Sequence, residues 1–361
     1  MVALSTNSLS RMGVRPSWLV LSDGARPTED IYFLASVEPL LRRQGADVRW
    51  LDVRGWRWLF ARGALARCTG ANLLLCRSLP ERALAWLERS RARFGQIVYL
   101  IDDDLAAAAA DPTLPAAYRA RMALAAGRES RLLAVADAVV ASSDALAARF
   151  DGVHGAVSVM TPPLIAPLPE RAHFDVAPSV RQPWRIGFHG TRAHLADLVR
   201  IAPALAAVQR GRDDTELELM LGAHVPEMLA GLPRLRTPAP LPWDQFRAYQ
   251  ASRRVHIGLA PLLDTPFNRG KSFIKFLDIA AMGGVGVYSR RAPYTGIVEH
   301  GVNGLLASDD PDEWYDCLQR LLDRPDEAAQ MAAAAADKAR ALVLRRVPAV
   351  FDVKAVKPPD T

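Results

Sequence analysis

The sequence is poor in cysteine, in lysine and in long apolar runs. Cys68, Cys76 and Cys317 are scattered at spacings that match no metal-binding or redox motif. That excludes a disulfide scaffold and fits a reducing compartment. No apolar stretch reaches the roughly 18 residues that a membrane-spanning helix requires. The segment before Trp18 lacks an apolar core of signal-peptide length, so the expected location is the cytoplasm. A strong charge of one sign is missing too: 45 basic and 39 acidic residues leave +6. That is mild for a nucleic-acid binder, and no DNA- or RNA-binding motif accompanies it, so nucleic acid is not an expected partner. Anionic small substrates or an anionic membrane surface explain the excess more simply.

Lysine is the scarce cation. Five of the 45 basic residues are lysine, and none precedes Lys271. Against an arginine background, Lys271 and Lys275 stand out, because an ammonium and a guanidinium are not interchangeable at a tight phosphate site. The competing reading is a chance pair on a solvated helix face.

What is present is a globular composition, 50% hydrophobic over 361 residues, enough for two domains with separate cores. Periodicity predicts strands over Ser17–Ser22, Val48–Val53, Asn72–Cys76, Gln96–Ile101 and Ala138–Ser142. Helices are expected over Ile31–Arg43, Leu79–Phe94, Ala116–Ala136 and Ser143–Phe150. Six prolines between Thr161 and Pro183 mark a linker. The alternation then restarts, with strands over Trp184–Phe188, Leu217–Leu221, His256–Ala260 and Gly286–Ser289, and helices over Ala193–Gln209 and Ser272–Met282. The expected architecture is α/β: two doubly wound Rossmann-like domains facing each other across a cleft. The first spans residues 1–165, a linker 166–183, and the second 184–339, with the tail from about 340 to 361 able to pack back on the first. Ligands of such sheets bind at the carboxyl edges of the strands.

The segment Asn268-Arg269-Gly270-Lys271-Ser272 carries the most specific signal. Gly270 is expected to allow a tight turn and Ser272 to cap the following helix. That helix start, with Lys271 beside it, suits a diphosphate. Lys275 and Asp278 follow on one face, where a carboxylate can accept hydrogen bonds from ribose hydroxyls. The plain alternative is a surface Lys–Asp pair.

Four other places carry polar chemistry. Asp102, Asp103 and Asp104 follow a buried strand, and mutual repulsion should raise the pKa of at least one. Such a group can act as general base for an acceptor hydroxyl or bind acceptor hydroxyls directly. A helix-capping cluster and an Asp-x-Asp metal site are the alternatives. With Lys271 and a helix start supplying positive charge, no metal and no cofactor is expected. His189 and Arg192 flank Gly190, where backbone N–H groups can approach phosphates and Arg192 can clamp one; His189 reads equally as a satisfied structural histidine. Asp23-Gly24 lies at the matching loop of the first domain, on the acceptor side or as a bare turn. Between Arg49 and Arg62, Trp50, Trp56, Trp58 and Phe60 alternate with arginines. Trp56 and Trp58 are placed on the acceptor side, where such a stretch can lie on an anionic bilayer or stack on sugars. A strand and short helix with an apolar side in the core is the other reading.

Leu277-Asp278-Ile279-Ala280 followed by Gly284-Val285-Gly286-Val287 resembles the donor-site helix and strand of the GT-B glycosyltransferases, most closely the group-1 (family 4) branch. The turn from Glu299 to Gly304, the strand from Ala136 to Ser143 and the strand and loop from Ile186 to Arg192 resemble further parts of that family. The resemblance covers roughly residues 95–325. In the family pattern two glutamates stand eight positions apart. Asp278 takes the place of the second, which holds the ribose, and Gly270 that of the first, which grips the sugar. Asp103 stands where the family has a histidine, so a retaining outcome does not carry over.

The resemblance implies transfer of a sugar from a nucleotide diphosphate donor to a glycan or lipid-linked glycan, with bacterial envelope polysaccharide synthesis as the setting. Lys271 and Arg192 would neutralise the leaving diphosphate, Asp278 would hold the ribose and Asp103 would face the acceptor. The alternatives are a nucleotide-sugar epimerase of the same fold and a non-catalytic glycan-binding subunit.

Overall fold

A computed structural model describes residues 17–344 and 348–351. β1 (Ser17–Ser22), β2 (Asp47–Asp52), β3 (Asn72–Cys76), β4 (Ile97–Ile101), β5 (Ala138–Ala141) and β6 (Val157–Val159) form one sheet in the order β2-β1-β3-β4-β5-β6. β7 (Trp184–Phe188), β8 (Thr215–Leu219), β9 (Leu235–Arg236), β10 (Ile257–Ala260), β11 (Val285–Ser289) and β12 (Leu305–Ala307) form a second in the order β12-β11-β10-β7-β8-β9. Every pairing is parallel.

The central strands of the first sheet are almost wholly apolar because helices cover both of its faces. Alternate side chains enter separate cores. Leu19, Leu21, Leu73, Leu75 and Tyr99 pack on one face of the first sheet. Trp18, Val20, Leu74, Val98 and Leu100 pack on the other. In the second sheet, Gly258 lets the helix Ile274–Ala281 press close: a Cβ there would lie 2.4 Å from Ile279 Cγ1.

Parallel strands put all their carboxyl ends on one edge. The two domains meet there through the segment that precedes the helix Ile274–Ala281. The short helix Pro266–Arg269 pushes Phe267 into the first domain's core, where its ring meets Tyr118 edge-on at 6.4 Å. Ser143 Oγ donates to the Gly270 carbonyl (2.8 Å), Tyr32 Oη donates to Ser272 Oγ (3.0 Å) and Trp243 Nε1 donates to Asp30 Oδ2 (2.9 Å). Phe351 is fully buried against Trp18 and Phe33, with ring centroids 5.7 and 5.4 Å away. From Met160 to Pro183 one helical turn, Ala172–Phe174, is the sole regular element.

Three expected helices differ. Ile31–Arg43 is broken into a widened turn, Asp30–Leu34, and a helix, Glu38–Arg43. Pro39 is the cause: it is tolerated in a first turn but lacks the N–H an unbroken helix would need. Ala116–Ala136 is two helices, Ala116–Ala126 and Glu129–Val135, parted at Gly127. The Ser272–Met282 helix begins later, at Ile274, with Phe273 at the cap position and no side-chain cap. Ser272 therefore does not cap it. Gly270 has an ordinary φ of −78°, so its turn does not require glycine.

Candidate active site

On the second domain, the turn after β7 carries His189 and Gly190. A Cβ on Gly190 would strike the Phe188 ring at 2.5 Å, so the backbone there stays bare. Lys275 Nζ donates to the His189 carbonyl (2.7 Å) and to Asp278 Oδ2 (2.8 Å). Gln250 Nε2 donates to Asp278 Oδ1 (3.0 Å). The His189 imidazole lies 3.0 Å from Glu218 Oε1, which also receives the Tyr249 hydroxyl, while Arg253 reaches Oε2 at 2.6 Å. Burial works against ionisation of Glu218, but those three donors outweigh it and hold its pKa at about 2. Arg192 is exposed and has no partner among the described residues. Beside this cluster opens a groove of about 390 Å³ lined by Glu218, Arg236, Thr237, Pro238, Tyr249 and Arg253.

On the first domain, the three aspartates after β4 diverge. Asp102 accepts from Thr28 Oγ1 (2.6 Å) and lies 3.5 Å from Arg77 Nε. Burial raises its pKa, the direction expected for one member of the trio. Asp103 receives Lys271 Nζ from the second domain (2.6 Å) and lies 3.1 Å from Arg77. Burial opposes its ionisation, yet Lys271 and Arg77 pull its pKa to about 2. Asp104 caps the helix Leu105–Ala110 through the Ala107 N–H (2.8 Å) and pairs with Arg149 (3.1 Å). Asp23 stands after β1 and Gly24, with φ +106°, beside it.

The structure thus brings His189, Gly190, Lys275 and Asp278 together, and Asp102, Asp103, Lys271 and Ser272 together. Others lie apart. Asn268 is buried and donates to Asp197 Oδ1 (2.9 Å), a structural role. Arg269 points to solvent and pairs with Asp264 (2.7 Å). Trp58, expected on the acceptor side, is 6% exposed and packs edge-on to Trp86 in the core, because it occupies the inward face of the helix Trp58–Arg67. Trp56 is 68% exposed. Sequence reasoning missed Arg77, Glu218, Gln250 and Tyr249. The alternation Glu216-Leu217-Glu218-Leu219 in β8 was a readable signal for one of them. The left-handed backbone of Arg77 was not.

Two doubly wound parallel sheets that meet at their carboxyl edges are the GT-B fold. Residues 220–346 match the family described as glycosyl transferase-like, which takes in most of the second domain. Among solved structures, sucrose-phosphate synthase from Thermosynechococcus elongatus aligns at TM-score 0.62 and 14% identity over 91% of this chain and 95% of that one. HepE from Anabaena, in complex with UDP-glucose, aligns at 0.55 and 16% over the same shares. A protein assigned as a UDP-N-acetylglucosamine 2-epimerase from Listeria monocytogenes aligns at 0.53 and 11%, over 91% and 94%. No curated protein matches the chain by sequence search. The solved structures show the GT-B fold for the whole chain, and the family match adds a glycosyl transferase-like second domain.

Proposed function

We propose that the chain transfers a sugar from a nucleotide diphosphate donor to a glycan or lipid-linked glycan, in bacterial envelope polysaccharide synthesis. The observation that carries this is Lys275, held between the Gly190 turn and Asp278 at the carboxyl end of β7, next to a groove of nucleoside size. The diphosphate lies on the Gly190 turn, with Lys275 and the exposed Arg192 as counter-charges. Lys271, paired with Asp103 at the domain junction, adds positive charge on that side of the cleft. Asp278 meets the ribose, and the base extends into the groove beside Tyr249 and Thr237. HepE was solved with UDP-glucose, which supports a donor of this chemical class.

An epimerase needs a pair of acid–base groups around the sugar. Two carboxylates beside the Gly190 turn are Asp278, tied to Lys275 and Gln250, and Glu218, held at about 2. Both are taken up by hydrogen bonds within the protein, which favours transfer.

The test is a thermal-shift panel of nucleotide sugars followed by calorimetry. A bound donor at a hundredfold excess over Kd should add about 2.7 kcal/mol of stability. Lys275→Ala should weaken binding of the matched nucleotide diphosphate by roughly 1–3 kcal/mol, the range for a hydrogen bond to a charged group. No shift with any donor would remove this reading.

A further inference from the structure

The turn after β7 is fastened at both ends by a histidine on a buried carboxylate. At its start, the His189 imidazole lies 3.0 Å from Glu218 Oε1. That ring is turned inward: its side chain is 6% exposed, and a Cβ on Gly187 would lie 2.7 Å from its Cε1. At the far end, His194 Nδ1 donates to Asp197 Oδ2 (2.8 Å). The His194 side chain is 20% exposed, and its Nε2 has no hydrogen-bond partner among the described residues.

Asp197 is itself fixed. It is buried in the first turn of the helix Leu195–Gly211. Its Oδ1 accepts from the Leu263 N–H (2.8 Å) and from Asn268 Nδ2 (2.9 Å). Both carboxylate oxygens are therefore taken, and the imidazole is held in one orientation. With the Nδ1 hydrogen committed to Asp197, Nε2 carries a hydrogen only in the imidazolium.

Three contacts place His194 at the domain junction. Leu263 and Asn268 belong to the segment that runs on to Lys271, which is paired with Asp103. Ala193, the residue before it, packs against the first domain's core. A charged His194 also adds to the pull of Lys271 and Arg77 on Asp103 across the junction. The turn thus runs from the groove beside Glu218, at His189, to the junction, at His194. A nucleoside diphosphate with its base in that groove would bring its second phosphate, the one that carries the sugar, to the His194 end.

Resting on that donor reading, we propose that His194 Nε2 binds the sugar-bearing phosphate as an imidazolium, with Asp197 as its positioning residue, so that donor binding takes up a proton. The charged groups around His194 are Asp197 and Arg192 on its own segment, Asp103 from the first domain, and Lys271 paired with Asp103. A phosphate beside Nε2 adds negative charge, which favours the imidazolium. The neutral ring would instead turn a lone pair toward the phosphate oxygens. The proton comes from solvent, and no covalent bond to carbon or phosphorus is made or broken.

The experiment is calorimetry on the full chain with whichever of UDP, GDP and ADP gives the largest thermal shift, and with the matching monophosphate. His194→Ala should weaken the diphosphate at least about tenfold, the scale of a hydrogen bond to a charged group, and the monophosphate less than about twofold. Phosphates, with a second pKa of about 6, are mostly ionised above pH 7. Even so, wild-type affinity for the diphosphate should fall from pH 7 to 8.5 relative to the monophosphate. His194→Lys keeps a positive charge over that range, so it should retain most of the affinity and lose the slope. Asp197→Asn keeps a carbonyl oxygen for Leu263 and Asn268 but cannot receive Nδ1 on its amide nitrogen. It should weaken the diphosphate selectively and flatten the slope. No loss in His194→Ala, a loss shared equally by the monophosphate, or a slope that survives in His194→Lys overturns the assignment while the donor site stands. Binding of none of the three diphosphates to the wild-type chain overturns both.

Discussion

Arg77 has a positive φ of 58° although it is not glycine, a conformation that costs on the order of 1–3 kcal/mol. Its guanidinium is what offsets that strain. It lies between Asp102 and Asp103, two carboxylates that would otherwise face each other in a buried place. Arg77→Ala should therefore destabilise the fold by about 3–5 kcal/mol, the cost of leaving buried charge unpaired. Urea titration checks this, and a loss below about 1 kcal/mol would show that Lys271 alone suffices. The pH sign follows from Asp103. Lys271 and Arg77 hold its folded pKa below the unfolded value near 4, so its contribution is complete above that value and is lost as pH falls below it. Of this cluster the sequence revealed the three aspartates, because they are consecutive. It could not reveal Arg77, because a left-handed arginine after a strand leaves no pattern.

Elements were legible where burial is uniform. The apolar runs of β1, β3 and β7 fall within their expected limits, because every residue in them is covered or nearly so. β6 and β9, three and two residues long with half-exposed patterns, left too little periodicity to read. Helix starts were harder. Ser272 looked like a cap and instead accepts a hydrogen bond from Tyr32, whereas Asp104 is a cap in fact. Asp104→Ala should cost about 1 kcal/mol as a lost N-cap, together with its pairing to Arg149, and leave nucleotide affinity unchanged. A melting curve and one calorimetric titration decide it, and a weakened affinity would place Asp104 in the site after all.

At the scale of the molecule, the two domains join through contacts far apart in sequence, such as Lys271 to Asp103. No local pattern encodes such a pair, so the alternation of strands and helices gave the architecture while the junction stayed hidden. The same limit applies to the surface. Trp56, Leu59 and Phe60 are 68%, 67% and 70% exposed, and the rings of Trp56 and Phe60 meet edge-on at 5.6 Å. They follow β2 at the carboxyl edge of the first sheet, the same edge as Asp23 and Asp103. Five arginines and one aspartate lie between Arg49 and Arg67. No helix among the described residues is long and apolar enough to cross a membrane. An exposed aromatic pair set among arginines instead suits the surface of an anionic bilayer, which would present a lipid-linked acceptor at the edge where transfer is proposed. The chain should therefore float with vesicles of phosphatidylcholine containing one-third phosphatidylglycerol, less with phosphatidylcholine alone, and less as salt screens the arginines. Replacing Trp56 and Phe60 by serine should weaken vesicle binding at least about tenfold, since burying one large apolar side chain contributes roughly 1.5–3 kcal/mol. Both side chains are largely exposed, so the melting temperature should hold. Equal flotation by the double variant, or equal binding to neutral and anionic vesicles, would mean that this surface meets something other than charged lipid.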